Sequence, residues 1–133
     1  MGMNITLWIL QTLLAAAFLA HGLMFLNPPP EIVEQMNASL PRWFQVFLGV
    51  AEVLAAAGLT LPGLTRILPV LVPAAAGGVM IVTISATVLH LWRGEFGPAA
   101  TTFVLLLIAT TIAIGRGRYR PIAPARRRTT AVI

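Results

Sequence analysis

The sequence predicts an all-α integral membrane protein, a four-helix bundle with both termini in the cytoplasm. Three observations carry that prediction. The 133-residue chain is 58% hydrophobic and only 10% charged, where a soluble domain holds about 45–50% apolar and about 25% charged residues. So short a chain cannot hide that apolar excess in one water-facing core. Four stretches are also long enough to cross a bilayer, and the arginines are unevenly shared between their two ends. There is no cysteine, which excludes a disulfide scaffold, a thiol nucleophile and a thiolate-bound metal.

The spans are Ile5–Leu26, Trp43–Leu61, Ile67–Leu91 and Pro98–Gly115, of 22, 19, 25 and 18 residues. A hydrocarbon core of about 30 Å needs about 20 helical residues, so each qualifies. The first span lacks a basic n-region and is followed by three more, so it reads as a retained helix rather than a signal peptide. In the third, Pro69 and Pro73 fall in the opening turns, and Pro73 is expected to remove a backbone donor and kink the helix.

Between the first two spans, Pro28, Pro29 and Pro30 end one helix. The remainder of segment 27–42 carries Ile32, Val33, Met36 and Leu40 at helical spacing, which predicts a short helix on the outer surface that caps the bundle. Residues 1–115 thus make the membrane bundle, and 116–133 a basic, disordered cytoplasmic tail.

Orientation follows from arginine, because there is no lysine. Arg66, Arg116, Arg118, Arg120, Arg126, Arg127 and Arg128 fall on one side, Arg42 and Arg93 on the other. The positive-inside rule puts the richer side in the cytoplasm. The tail suits anionic lipid headgroups, at about 1 kcal/mol per Arg near the surface. It lacks aromatic interleaving or a folded module, so nucleic acid is not an expected partner.

Three ionisable side chains lie inside the spans: His21, Glu52 and His90. Insertion scales set the cost of a charge at mid-bilayer at about 2.5–3.5 kcal/mol, so such residues are candidates for function. Counted from the outer span ends they sit about 2 Å (His90), about 8 Å (His21) and about 14 Å (Glu52) deep, a ladder leading inward. Thr83, Thr87 and His90 share one face of the third span at i, i+4 and i+7. Gly22 beside His21, and Gly49 one turn before Glu52, leave room for a close helix or a ligand. The expected ligand-binding or proton-handling set is therefore His21, Glu52, Thr83, Thr87, His90, Gly22 and Gly49. No Asp is present for a Ser-His-Asp triad, no paired His or Glu-x-x-His spacing marks a metal, and no motif holds a redox centre. A self-sufficient oxidoreductase is not expected.

One family resemblance runs over roughly Asn4 to Gly115. Leu7–Leu26 (LWILQTLLAAAFLAHGLMFL), Gly49-Val50-Ala51-Glu52-Val53-Leu54, Gly58-Leu59-Thr60-Leu61-Pro62 and Val88-Leu89-His90-Leu91-Trp92-Arg93-Gly94-Glu95 resemble DoxX-like membrane proteins. The resemblance implies a four-helix bundle in the bacterial inner membrane, in a family associated with quinone-linked sulfur or thiol redox chemistry. It matches Glu52 to the second-helix glutamate and His90 to the end of the third helix. Many relatives read Gly-x-x-Lys after the first-helix glycine; here Gly22-Leu23-Met24 leads to Phe25, with His21 as the nearby cationic candidate.

Three functions fit these residues. The first is a redox-linked accessory subunit that holds a quinone or other lipid-like ligand, with no intrinsic cofactor and with a membrane or periplasm-facing partner or a second copy. The second is a structural or assembly subunit without a small ligand, and the third a small proton-coupled exporter using Glu52.

Overall fold

The computed structural model describes residues 1–126. Helix α1 (Gly2–Leu26) leads through a short helix α2 (Val33–Ser39) to α3 (Arg42–Thr65), α4 (Leu71–Trp92) and α5 (Phe96–Ile114). A π-helical turn, Gly115–Tyr119, extends α5. Four of these helices are long and apolar enough to cross a membrane, as predicted. No strand is present among the described residues.

α1 packs chiefly on α3 and α4 chiefly on α5; α3 and α4 join the two pairs, and α1 meets α5 much less. Leu14, Phe18, Ala56, Leu59, Val72, Ala76, Val79, Ala109 and Ile112 fill the centre. Large residues such as Leu13, Phe47, Leu54, Ile81 and Phe103 point outward, as they must where lipid replaces water.

The α1–α3 contact depends on two glycines. A Cβ at Gly22 would stand 2.9 Å from the carbonyl oxygen of Gly49, and a Cβ at Gly49 would stand 2.9 Å from that of Gly22. The backbones therefore touch, which only residues without a side chain permit. At the far end Gly63 receives Trp8, and Gly115 receives Leu7.

Several boundaries depart from expectation. α3 continues through Leu61-Pro62 to Thr65, with Pro62 buried inside it. Pro62 brings no N–H to the carbonyl of Gly58, and packing on both sides carries the helix across that gap. α4 starts at Leu71 rather than Ile67, because Leu68 has a left-handed φ of 48° and precedes a proline, which disfavours helical backbone. Pro73 then falls in the first turn, where its missing N–H would have had no helical partner, so the expected kink has no cause.

The expected tail does not begin in disorder at Gly115. The N–H of Arg120 donates to the carbonyl of Gly115 at 2.7 Å, and that of Ala125 to the carbonyl of Arg66 at 3.0 Å. Ile122 packs against the core. Burial of Arg116 and Ile122 orders this stretch in spite of its charge. Residues 127–133, including Arg127 and Arg128, lie outside the described residues.

The segment between α1 and α3 is helical where expected, with Glu34 in the first turn of α2 and no buried residue. It is tied down by Gln45, whose amide donates to Asn37 Oδ1 at 3.1 Å and to the Leu40 carbonyl at 2.8 Å. Arg42 reaches back to donate to the carbonyls of Phe25 and Leu26, at 2.7 and 2.8 Å. It thus satisfies the open C-terminal end of α1 with the charge that end favours.

Candidate functional site

His21 and Glu52 meet. Nδ1 of His21 lies 2.6 Å from Oε2 of Glu52, the histidine side chain about half exposed (51%) and the carboxylate buried (4%). The meeting follows from the glycine crossing. Gly22 lies next to His21 and Gly49 is three residues before Glu52, and an added Cβ at Gly22 would stand 3.0 Å from the Cβ of Glu52. The predicted ladder is thereby shortened. His21 is five residues from the end of α1 and Glu52 ten from the start of α3, a difference of about 7.5 Å along the axis. α3 starts beyond the end of α1, so the two residues pair at one level.

The ring of Phe25 meets the imidazole of His21 edge-on, with centroids 4.7 Å apart. The cation that reaches Phe25 is Arg42, on its backbone carbonyl. The carboxyl of Glu52 pairs with His21.

A cavity of about 390 Å³ lies against the pair, lined by all four long helices. α1 gives Ala17, Phe18 and His21, α3 gives Glu52, α4 gives Val82, Thr83, Ala86 and His90, and α5 gives Pro98, Thr101, Thr102 and Leu105. Ala17, His21, Pro98 and Thr101 are exposed, so the cavity opens between α1 and α5, along the seam with the fewest contacts. In a bilayer that mouth faces lipid. The size falls within the range of small-molecule sites, and the lining shows their usual make-up of apolar wall and few polar groups.

The hydroxyl of Thr83 donates to its own helix, to the carbonyl of Val79 at 2.8 Å. His90 stands at the α4–α5 end of the cavity, with Nδ1 2.5 Å from Oε2 of Glu95. Each imidazole thus holds a carboxylate through Nδ1, and neither Nε2 has a partner among the described residues.

The sequence-predicted set is divided by the structure. His21, Glu52, Thr83 and His90 share the cavity wall. Thr87 lies behind the wall, with its hydroxyl 2.8 Å from that of Thr102. Gly22 and Gly49 are the helix contact that aligns the pair rather than part of the lining. Sequence reading missed Glu95, Thr101, Thr102 and Phe18. Glu95 had a signal, as a carboxylate five residues after His90 across a tight Arg93-Gly94 turn.

A second polar cluster, also missed, lies at the opposite end. Arg116 is 3% exposed. Its Nε donates to Gln11 Oε1 at 2.5 Å, and its Nη1 to Asn4 Oδ1 at 2.6 Å and to the Arg120 carbonyl at 3.2 Å. Trp8 lies under the guanidinium, 5.2 Å from ring centroid to Cζ. Gln11, itself buried, passes its amide on to the Leu59 carbonyl at 2.9 Å. No carboxylate pairs with Arg116 among the described residues, and Nη2 is buried without a partner. No group of His, Asp and Glu suited to a metal occurs among the described residues.

A sequence profile of the DoxX-like family matches residues 9–112, which run from the first helix through the fourth span. The chain belongs to the DoxX-like family. The match takes in every residue of the cavity wall and stops short of Arg116. Neither a curated protein nor a solved structure matches the chain.

Proposed function

We propose that this DoxX-like protein is a redox-linked accessory subunit whose bundle holds the polar head of a quinone or similar lipid-like ligand. One observation carries the reading: a buried carboxylate and two imidazoles face a cavity whose mouth opens sideways into lipid. An amphiphile can enter through the α1–α5 seam, leave its tail among the hydrocarbon chains and set its head against His21 and Glu52. About 390 Å³ is room for a ring-sized head and not for a whole lipid.

The polar groups match such a head in chemistry as well as size. With Glu52 ionised, the Nδ1–H of His21 donates to it, which leaves Nε2 as an acceptor for a hydroxyl; a protonated ring offers Nε2–H to a carbonyl. The site accommodates either form of a head that gains and loses protons. No residue here carries electrons, so a membrane or periplasm-facing protein partner supplies that step. The family resemblance favours a bacterial inner membrane, and the arginine distribution cytoplasmic termini, where Arg118, Arg120 and Arg126 meet anionic headgroups.

The test is mass spectrometry of lipids kept by gently purified protein. Wild type is expected to retain an amphiphile with an oxidisable ring. Glu52→Gln, which removes the charge and keeps the shape, and Ala86→Leu, which fills the cavity, are both expected to lose it. A lipid profile identical in all three proteins would overturn the reading in favour of a purely structural subunit.

A further inference from the structure

We propose that His90 and Glu95 form the proton port of the cavity, joining the His21–Glu52 pair to water at the α4–α5 end. Three observations carry this. His90 lines the same cavity as His21 and Glu52. It also touches Glu95, and the two side chains are 27% and 43% exposed, so the dyad spans from cavity wall to surface. Neither arginine at this end neutralises Glu95, because Arg42 is engaged by the carbonyls of Phe25 and Leu26, and Arg93 donates to the Ser39 carbonyl at 3.3 Å. Glu31 and Glu34, the other charged groups there, lie on or before α2 and form no ion pair.

The chemistry is a proton transfer with no electron step. A proton released by a group in the cavity passes to Nε2 of His90, the Nδ1 proton passes to Glu95, and the carboxylic acid formed gives it to water. The reverse sequence brings a proton in. A carboxylate on Nδ1 holds the ring in the tautomer whose Nε2 accepts. The cavity that both imidazoles line has room for several waters, each taking about 30 Å³. The seam between α1 and α5 opens onto lipid and offers no comparable route. Glu95 is thus placed as a relay group that never touches the ligand.

The purpose of the port rests on the ligand reading above, but its test does not. The full chain in phosphatidylcholine nanodiscs, labelled with ring ¹⁵N-histidine, gives the rate at which the His21 ring exchanges protons with water. The chain has two histidines, so a His90→Phe variant assigns the signals. Glu95→Gln is expected to slow His21 exchange by about two orders of magnitude, the lower end of what a positioned acid–base group contributes. His90→Phe should slow it as much, and Glu95→Asp should restore part of the rate. Exchange as fast in Glu95→Gln and His90→Phe as in wild type would overturn the port. If wild type retains no ligand while Glu95→Gln slows exchange, the ligand reading fails and the port stands. Retained ligand with unchanged exchange would reject the port alone.

Discussion

The two buried polar clusters of this bundle lie at opposite ends and are built on opposite principles. At one end, Arg116 is enclosed by Gln11, Asn4, the Arg120 carbonyl and the face of Trp8, with a single nitrogen left over. At the other, Glu52 has one protein partner, His21, and both stand against open space. A buried charge persists only where its surroundings compensate it. Arg116 is compensated by neutral dipoles packed around it, and its bonds tie the start of α1 to the end of α5. Glu52 is compensated by one half-exposed imidazole, and the remaining capacity of both groups faces the cavity. The first, enclosed on nearly every side, acts as a clasp between α1 and α5; the second keeps its hydrogen-bonding capacity turned to the cavity.

The comparison is broken most easily at the clasp. Gln11→Leu removes the acceptor of Arg116 Nε and the donor to the Leu59 carbonyl at once. Leaving a buried guanidinium N–H without its acceptor costs about 1.5–3 kcal/mol, so the folded fraction in a detergent–SDS titration should fall. A fall of well under 1 kcal/mol would mean that the guanidinium simply swings out to water, and that its burial carries little weight. Next in size is Gly49→Ala. The added Cβ would lie 2.8 Å from Leu26 Cγ and 2.9 Å from the Gly22 carbonyl. Leu26 can rotate away, but the carbonyl is backbone, so α1 and α3 must separate, at the roughly 1–3 kcal/mol typical of overpacking. Separation also lengthens the His21–Glu52 contact, so this variant should lose stability and retained lipid together.

These residues also show what the sequence could and could not disclose. The spans were legible because hydropathy over about 20 residues is a property of composition. Glu52 and His21 were legible singly, as ionisable groups in apolar runs. Their contact was not, because it depends on the relative shift of α1 and α3, which the backbone contact of Gly22 and Gly49 sets. Thr87 shares a helical face with Thr83, yet Thr83 lines the cavity while the Thr87 hydroxyl turns to Thr102 on α5. Arg116 reads in the sequence as part of a basic tail because it follows the fourth span in a segment of six arginines and two prolines. Only the π-helical turn after Ile114 points its side chain back into the bundle, and no periodicity announces such a turn.

Glu52→Gln sharpens the contrast from the other side. Glutamine keeps the shape and can still bond His21, and measured interhelical hydrogen bonds average about 0.6 kcal/mol, so stability should fall by less than about 1 kcal/mol. Retained ligand should nevertheless be lost. Large destabilisation with unchanged lipid would place Glu52 in the same structural class as Arg116.

The smallest expected effect discriminates best between glue and site. Thr87→Val deletes one hydroxyl of the Thr87–Thr102 pair and keeps the volume. Each hydroxyl also lies within bonding distance of a carbonyl of its own helix, Thr87 of Thr83 at 2.7 Å and Thr102 of Ala99 at 3.1 Å, so the Thr102 proton can turn to Ala99 once Thr87 is gone. Losing the cross-helix bond therefore strands no buried group, and the cost should be about 0.6 kcal/mol. Because Thr87 stands behind the wall, the lipid profile should match wild type. In stability the two variants then look alike, and only the retained lipid separates them. If polar groups served only to hold helices together, Thr87→Val and Glu52→Gln would agree in both measurements. A difference confined to the lipid would mean that the carboxylate is kept for what enters the cavity, since its contribution to the fold is one that a threonine pair supplies as well.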